Sequence, residues 1–374
     1  MSTMNLLLTA GQRGSVNALA PLAKELFRRG HELKLYATGS ETEAAGFNEL
    51  RYERIAPADD DYSRLIAGYD AVITGLHGYN STDGHFLRAA NSAGIPTIAV
   101  LDQNSNYHAR LGVNPADLPT LLAVMDEDCI RTMQKELDGE MGEEAARRSR
   151  VVGWTALDHY AKMRVEFTEG DRMNLLASIG VLPEKPVYLH CTDNVHPSSD
   201  YIQRCGTRMN EWAPRFNYEL GITRFTFEAA SDLGLKLVVK PHPGEEFKTN
   251  YTKELADRHG FKFVPARACN IQQLMLAACS VTAGRSTCLT EATLLDRNTA
   301  GILPDMKEED LRPFPPLTLK AIPYTQEWEG IRELLELVTS TDAAILQKLA
   351  QDRQKFSVDG KASKRLADLV EELK

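Results

Sequence analysis

Long apolar runs are missing from this sequence. No stretch approaches the ~18 consecutive apolar residues of a membrane-spanning helix, and the apolar part of the N-terminal "MNLLLTAGQRG" is far too short for the hydrophobic region of a signal peptide. A cytoplasmic protein is the expectation, with peripheral membrane contact left open. Positive charge is also in short supply. With 43 Lys and Arg against 52 Asp and Glu, the net charge is −9 and the pI near 5.6. That balance argues against a general nucleic-acid-coating protein, yet it allows a small anion held by a few local cations. The 6 cysteines form no CxxC pair and no Cys/His spacing suited to zinc, so they read as reduced thiols of a cytoplasmic protein. Low-complexity segments and short internal repeats are absent.

What is present is a rhythm. At 374 residues, 43% hydrophobic and 25% charged, the chain can bury more than one core. "MNLLLTA" reads as a strand and "ALAPLAKELFRRGH" as a helix; "ELKLYAT", "AVITGL" and "PTIAVLD" are strands, with "DGHFLRAANSAG" a helix between the last two. Strands alternating with helical crossovers predict a parallel sheet covered on both faces. Near 165 to 185 the text turns polar and turn-rich, and the rhythm restarts at "VYLHCT". It continues through "RFTFEAASDLG", "KLVVK", "FKFVP", "IQQLMLAA", "CSVTAG" and "STCLTEATLLD". The expected class is α/β with two Rossmann-like domains, over 1–165 and 166–340, and helices over 341–374 that pack back on the pair.

Ligands of open parallel sheets sit beyond the carboxyl ends of the strands. The loops there are Gly11 to Ser15, Gly75 to Asp83, Asp102 to Tyr107, His190 to His196, Lys240 to Glu246 and Gly284 to Thr287. "TAGQRGS" passes from the first strand into a helix, so backbone N–H groups around Gly14 can face an anion, with Arg13 adding charge. It is neither GxGxxG nor a Walker A sequence. In "TAGRSTCLTEA", Gly284 permits a tight exit, Ser286 or Thr287 stands where an N-cap belongs, and Glu291 lies about one turn in. Hydroxyls beside Arg285 suit a diphosphate and a carboxylate suits a ribose, though ordinary capping would use the same residues. "KPHPG" places Lys240 and His242 on a proline-braced loop where both could meet a phosphate. "LHCTDNVH" offers His190, Thr192, Asp193, Asn194 and His196 without a recognisable metal spacing. In the first half, "GLHGYNSTDGH" supplies His77 and Asp83, and "VLDQNSNYHAR" supplies Asp102 and Arg110, residue types a general base needs. Asp83 also reads as a plain N-cap; Asp102, leaving a buried strand, has the better claim to chemistry.

Together these loops resemble the GT-B superfamily: nucleotide-sugar glycosyltransferases and the UDP-N-acetylglucosamine 2-epimerases. The epimerases' Gly-Thr-Arg-Pro-Glu followed by Ala-Pro-Leu is similar to "GQRGSVNALAPL", with Gly11, Arg13 and Ala20-Pro21-Leu22 in register. Their Leu-His-Arg-Arg-Glu-Asn-Val resembles "LHCTDNV", where Cys191 and Thr192 replace the arginine pair, and their acidic residue after a central strand resembles Asp102. Their Asp-Ser-Gly-Gly is here "AGRST", their Gly-Asp-Thr is "GLH", and no Pro-Glu-Glu follows Asp102. "KPHP" with a Ser/Thr loop resembles bacterial sialyltransferases and glycerophosphate transferases, whose His contacts the donor phosphate. The "TDG" at Thr82 to Gly84 is similar to the Asp-Gly element that carries the sialyltransferases' base.

The resemblance implies parallel sheets facing a central cleft and a metal-independent transferase moving a sugar from a nucleotide-sugar donor to a sugar, glycan or small-molecule acceptor. No cofactor is implied beyond that substrate, and no nucleic acid. Lys240, His242, Arg285, Ser286 and Thr287 would stabilise the leaving phosphate, Glu291 would hold the ribose, and the first domain would supply the base, Asp102 ahead of Asp83 and His77. An epimerase would instead use Asp102 at C2, with Arg13 and His190 on the diphosphate. A glycerophosphate-type transferase and a non-catalytic binding protein of the same fold are the remaining alternatives, and oligomeric state is open.

Overall fold

The computed structural model describes residues 3–40, 44, 47, 50–55, 62–192, 218–242, 249–311 and 314–373. The chain divides into two compact units, Met1–His159 with Val358–Lys374 and Tyr160–Ser357. The division at 159/160 falls within a helix, Asp158–Glu166, and the expected C-terminal tail is split: residues up to Ser357 belong with unit 2 and the rest with unit 1.

Unit 1 is built on seven strands: β1 (Asn5–Ala10), β2 (Glu32–Ala37), β3 (Glu53–Arg54), β4 (Ala71–Gly75), β5 (Thr97–Val100), β6 (Leu121–Val124) and β7 (Ser149–Val151). Their order is β3-β2-β1-β4-β5-β6-β7, all neighbours parallel. Strand β1 is apolar on both faces because both are covered. Leu6 and Leu8 pack toward α1 (Arg13–Arg28), with Val16, Leu19, Ala23 and Leu26 on the helix side. Leu7 joins Val72 and Phe86 on the other face, beneath α3 (Thr82–Ser92), which follows the short α2 (Tyr62–Leu65). Further along come α4 (Tyr107–Leu111), α5 (Glu127–Leu137) and α6 (Gly139–Arg148). The α1 core is completed from the far end of the sequence by Leu366, Ala367 and Val370. Polar contacts fasten that segment. Arg29 donates to Asp368 (2.7 Å) and Glu371 (2.8 Å), and buried His31 accepts from the Met4 N–H through Nδ1 (3.2 Å), leaving Nε2 to donate to Glu371 (2.9 Å).

Unit 2 repeats the plan with β8 (Tyr188–Cys191), β9 (Leu237–Lys240), β10 (Lys262–Phe263), β11 (Ser280–Ala283), β12 (Asn298–Ile302) and β13 (Tyr324–Thr325), ordered β10-β9-β8-β11-β12-β13 and parallel throughout. Its helices, with α7 (Asp158–Glu166) at the junction, are α8 (Glu169–Ser178), α9 (Tyr218–Asp232), α10 (Thr249–Arg258), α11 (Ile271–Ala277), α12 (Cys288–Leu294), α13 (Pro315–Thr318), α14 (Ile331–Val338) and α15 (Ala343–Arg353); α16 (Ala362–Glu371) returns to unit 1. The polar stretch read as a break contains α8. It is opened by a capping box: Thr168 Oγ1 accepts from the Asp171 N–H (3.1 Å) and Asp171 from the Thr168 N–H (2.9 Å). Among the described residues, no helix is long and apolar enough to cross a membrane.

Candidate functional site

Strand order reverses at two places, between β1 and β4 in unit 1 and between β8 and β11 in unit 2. A parallel sheet opens a crevice at such a point, because the crossover helices leave toward opposite faces. The motif loops singled out in the sequence leave the carboxyl ends of these strands or their neighbours.

In unit 1 three adjacent strands deliver one polar cluster. Gly11 follows β1, Thr38 follows β2 and His77 lies just past β4, while Asp83 enters from the first turn of α3. Asp83 is not the N-cap; Ser81 is, accepting from the Gly84 N–H (3.2 Å). Freed from capping, the fully buried Asp83 carboxylate accepts from Thr38 Oγ1 (3.1 Å) through Oδ1 and faces His77 Nδ1 (3.0 Å) through Oδ2. The carboxylate can only accept there, so Nδ1 carries the hydrogen and Nε2 the lone pair. His77 keeps 20% of its side chain exposed against 0% for Asp83. Gly11 is required by this cluster: a Cβ there would stand 2.6 Å from Thr38 Oγ1 and 2.7 Å from His77 Cε1.

Asp102 lies beyond β5 and is already engaged. Arg110 of α4 donates to its Oδ1 (2.7 Å) and, through the same nitrogen, to the Leu76 carbonyl (3.1 Å); the two side chains are 9% and 5% exposed. A Cβ at Gly14 would collide with the Asp102 carboxylate, so the first turn of α1 rests directly on it. This ion pair braces the loop ahead of His77. Arg13, at the start of α1, is exposed.

Unit 2 departs from expectation. His190, expected on a phosphate, is 1% exposed, with Nδ1 beside Thr282 Oγ1 (3.0 Å), its ring edge-on to Phe227, and Nε2 without a partner. Burial alone pushes its pKa down to about 4. The physical reason is its place within β8 and strand alternation: His190 and its register partner Thr282 lie on the sheet face covered by α9, not beyond the strand's carboxyl end. Lys240, the other expected phosphate cation, is 4% exposed; its ammonium donates to the carbonyls of Pro265 (2.7 Å) and Cys269 (3.2 Å) and ties down the loop after β10. Burial lowers its pKa. Thr192 is a brace as well, its N–H bonded to the Lys240 carbonyl (3.0 Å) and its hydroxyl accepting from the His242 N–H (3.2 Å). Ser286 is buried, its Oγ accepting from the Cys288 N–H (3.3 Å) at the start of α12, where Thr287 holds the N-cap position without a side-chain capping bond.

The other expected residues at the carboxyl edge of unit 2 differ in exposure. The His242 residue is half-buried, Gly284 is buried, Arg285 and Thr287 are exposed, and Glu291 is half-buried in α12. Glu291 Oε2 accepts from Gln272 Nε2 (3.1 Å), and Gln272 also donates to Tyr160 Oη (3.2 Å). Asn194, with Asp193 and His196, lies outside the described residues. Sequence reading missed Thr38, Gln272 and Tyr160. Thr38 carried a usable signal, as a polar residue directly after an apolar strand; Tyr160 and Gln272 sit in helical text without one.

No protein-family model matches the sequence, and no match to a curated protein is found. Solved structures do match in fold. A UDP-N-acetylglucosamine 2-epimerase from Neisseria meningitidis bound to UDP-GlcNAc superposes with a TM-score of 0.66 at 14% identity, covering 99% of this chain and 100% of that one. MurG of Acinetobacter baumannii gives 0.57 at 13%, covering 99% of both chains. CalG4, the calicheamicin glycosyltransferase, gives 0.54 at 15%, covering 100% and 98%. The chain therefore has the two-domain GT-B fold shared by epimerases and glycosyltransferases.

Proposed function

We propose that the protein is a glycosyltransferase: unit 2 binds a nucleotide-activated sugar, and unit 1 supplies the base that activates the acceptor hydroxyl. The observation that carries this reading is the His77–Asp83 pair. A buried carboxylate on Nδ1 fixes the tautomer and ring orientation, directs the Nε2 lone pair outward, and stabilises the imidazolium that forms when His77 takes a proton. In the reaction the acceptor oxygen bonds to the anomeric carbon, the bond from that carbon to the phosphate oxygen breaks, the nucleotide leaves with that electron pair, and the acceptor proton passes to His77. On unit 2, Arg285, Thr287 and His242 are the groups that would meet the phosphates, with Glu291 toward the ribose. Asp102 acts through Arg110 as a brace rather than as the base.

A panel of UDP, CDP, GDP, ADP and dTDP followed by thermal shift identifies the nucleotide. Release of that nucleotide from its sugar conjugates, dependent on added acceptor, then measures transfer. His77→Ala should cut turnover by about 10²–10⁴-fold while nucleotide binding is retained. Unchanged turnover would remove His77 from the mechanism.

An epimerase is the second reading, favoured by the structural likeness to the UDP-N-acetylglucosamine 2-epimerases and by the exposed Arg13 at the start of α1. It predicts an epimerised nucleotide sugar without net release of nucleotide and without any acceptor.

A further inference from the structure

Two histidines flank the first turn of α3, and their surroundings give them opposite polarity. The hydrogen on His77 Nδ1 faces Asp83, so Nε2 offers a lone pair. At the exposed His85 the order is reversed. Arg88, one turn on, donates from a terminal nitrogen to His85 Nδ1 (2.9 Å), and a guanidinium can only donate. Nδ1 therefore holds the lone pair and Nε2 the hydrogen. Burial, and after it the charge of Arg88, holds the imidazole pKa below its ordinary value, which keeps this neutral form. The ring stacks on Tyr62, centroids 5.4 Å apart and planes 15° from parallel, so its Nε2 edge stays out of the stack.

Arg88 is held as firmly and is not neutralised. Its other terminal nitrogen donates to the Tyr79 carbonyl, and its guanidinium carbon stands 4.2 Å from the centre of the Tyr79 ring. That ring is fixed in turn. Tyr79 Oη donates to Asp117 (2.7 Å), and a Cβ at Gly112 would stand 2.7 Å from Cδ2 of the ring. Bracing a loop does not call for a bare charge: Arg29, Arg110 and Arg148 also brace unit 1, and each donates to a carboxylate. Among the described residues Arg88 has no carboxylate partner, and its remaining N–H groups are spare donors. Asp83, Phe86, Leu87 and Ala90 take the buried face of α3, which leaves His85 and Arg88 together on the outer one. We propose that Arg88 and His85 form a subsite for a carboxylate or phosphate group, and that in the transfer reaction this group belongs to the acceptor. The two residues stand only about 3 and 7.5 Å further along the helix axis than Asp83, so one sugar-sized molecule can span the subsite and His77. The acceptor assignment rests on the transferase reading; the subsite itself does not.

The test follows the His85 ring by NMR in the full chain labelled with 15N-histidine, its signals assigned by their loss in His85→Phe. Inorganic phosphate and acetate are the probes, and glucose is the neutral control. An anion is expected to shift the His85 Nε2 resonance to saturation while glucose leaves it in place. Arg88→Gln should weaken that binding by ~10-fold or more, the worth of a hydrogen bond to a charged group, and unmoved His77 signals show that the loop has kept its shape. Which anion binds more tightly tells phosphate from carboxylate. Kinetics place the group on the acceptor: glucuronate or glucose 6-phosphate should have a lower KM than glucose, and His85→Phe, which keeps a ring on Tyr62, should raise it toward that of the neutral sugar. No anion response in wild type, or equal affinity in Arg88→Gln, overturns the subsite. A KM raised equally for charged and neutral acceptors makes both residues structural and overturns it too. Anion binding that needs Arg88 in a chain that transfers nothing upholds the subsite and brings down the transferase reading, so the two fail separately.

Discussion

The two units share a strand order up to the seventh strand and treat their crevices differently. At the β1/β4 reversal polar groups are stacked in depth: buried Asp83 and Thr38 lie behind a partly exposed His77, and the Asp102–Arg110 pair braces the same edge. At the β8/β11 reversal two conspicuous basic residues of the sequence are taken inward, Lys240 onto backbone carbonyls and the neutral imidazole of His190 beneath α9. One fold thus leaves a histidine partly exposed on a buried carboxylate in one copy and turns a lysine to loop anchoring in the other. A site has to be read from partners, not from position on the sheet alone.

Breaking the Asp102–Arg110 pair is the strongest way to test that contrast. Asp102→Ala leaves the Arg110 guanidinium buried and uncompensated, and should cost about 3–5 kcal/mol in chemical denaturation. Turnover lost with stability unchanged would overturn the brace and return Asp102 to the base.

His190 gives the next largest effect, and it depends on pH. Its folded pKa of about 4 lies below the ordinary 6.5, so between those values the unfolded chain binds more protons than the folded one. Stability is full above pH 6.5 and is lost as pH falls toward 4, by about 3 kcal/mol in all. Denaturation midpoints of wild type and His190→Phe across that window should diverge, the variant staying flatter. Parallel curves would mean that His190 is not neutral in the fold.

The smallest effect sharpens the comparison most directly. Lys240→Met strips a donor from two carbonyls and should cost about 1–3 kcal/mol, with nucleotide affinity unchanged. A loss of affinity without loss of stability would return Lys240 to the phosphate.

Much of the architecture was legible in the sequence because apolar runs and helix periodicity are local. β1, β2, β4, β5, β8, β9, β10 and β11 all fall where the text placed strands, while β6 and β12 were not singled out. The short β3, β7 and β13, and α8 with its polar capping box, were not singled out: two or three residues carry no period, and a cap is polar by nature. At the site, "GLH" and "TDG" marked His77 and Asp83, but their pairing depends on α3 placing its first turn against the end of β4. His190 and Lys240 were misplaced for another reason. Alternation fixes which residues share a face, while the helix that covers that face comes from elsewhere in the chain.

Unit 1 is assembled from both ends of the described chain, with Leu366, Ala367 and Val370 entering the core of α1, while unit 2 is one continuous stretch between them. The order of synthesis therefore matters. Until α16 is made, Leu19, Leu22 and Leu26 lack part of their cover. The α1 face of the half that carries His77 therefore cannot close on the residues before 159 alone.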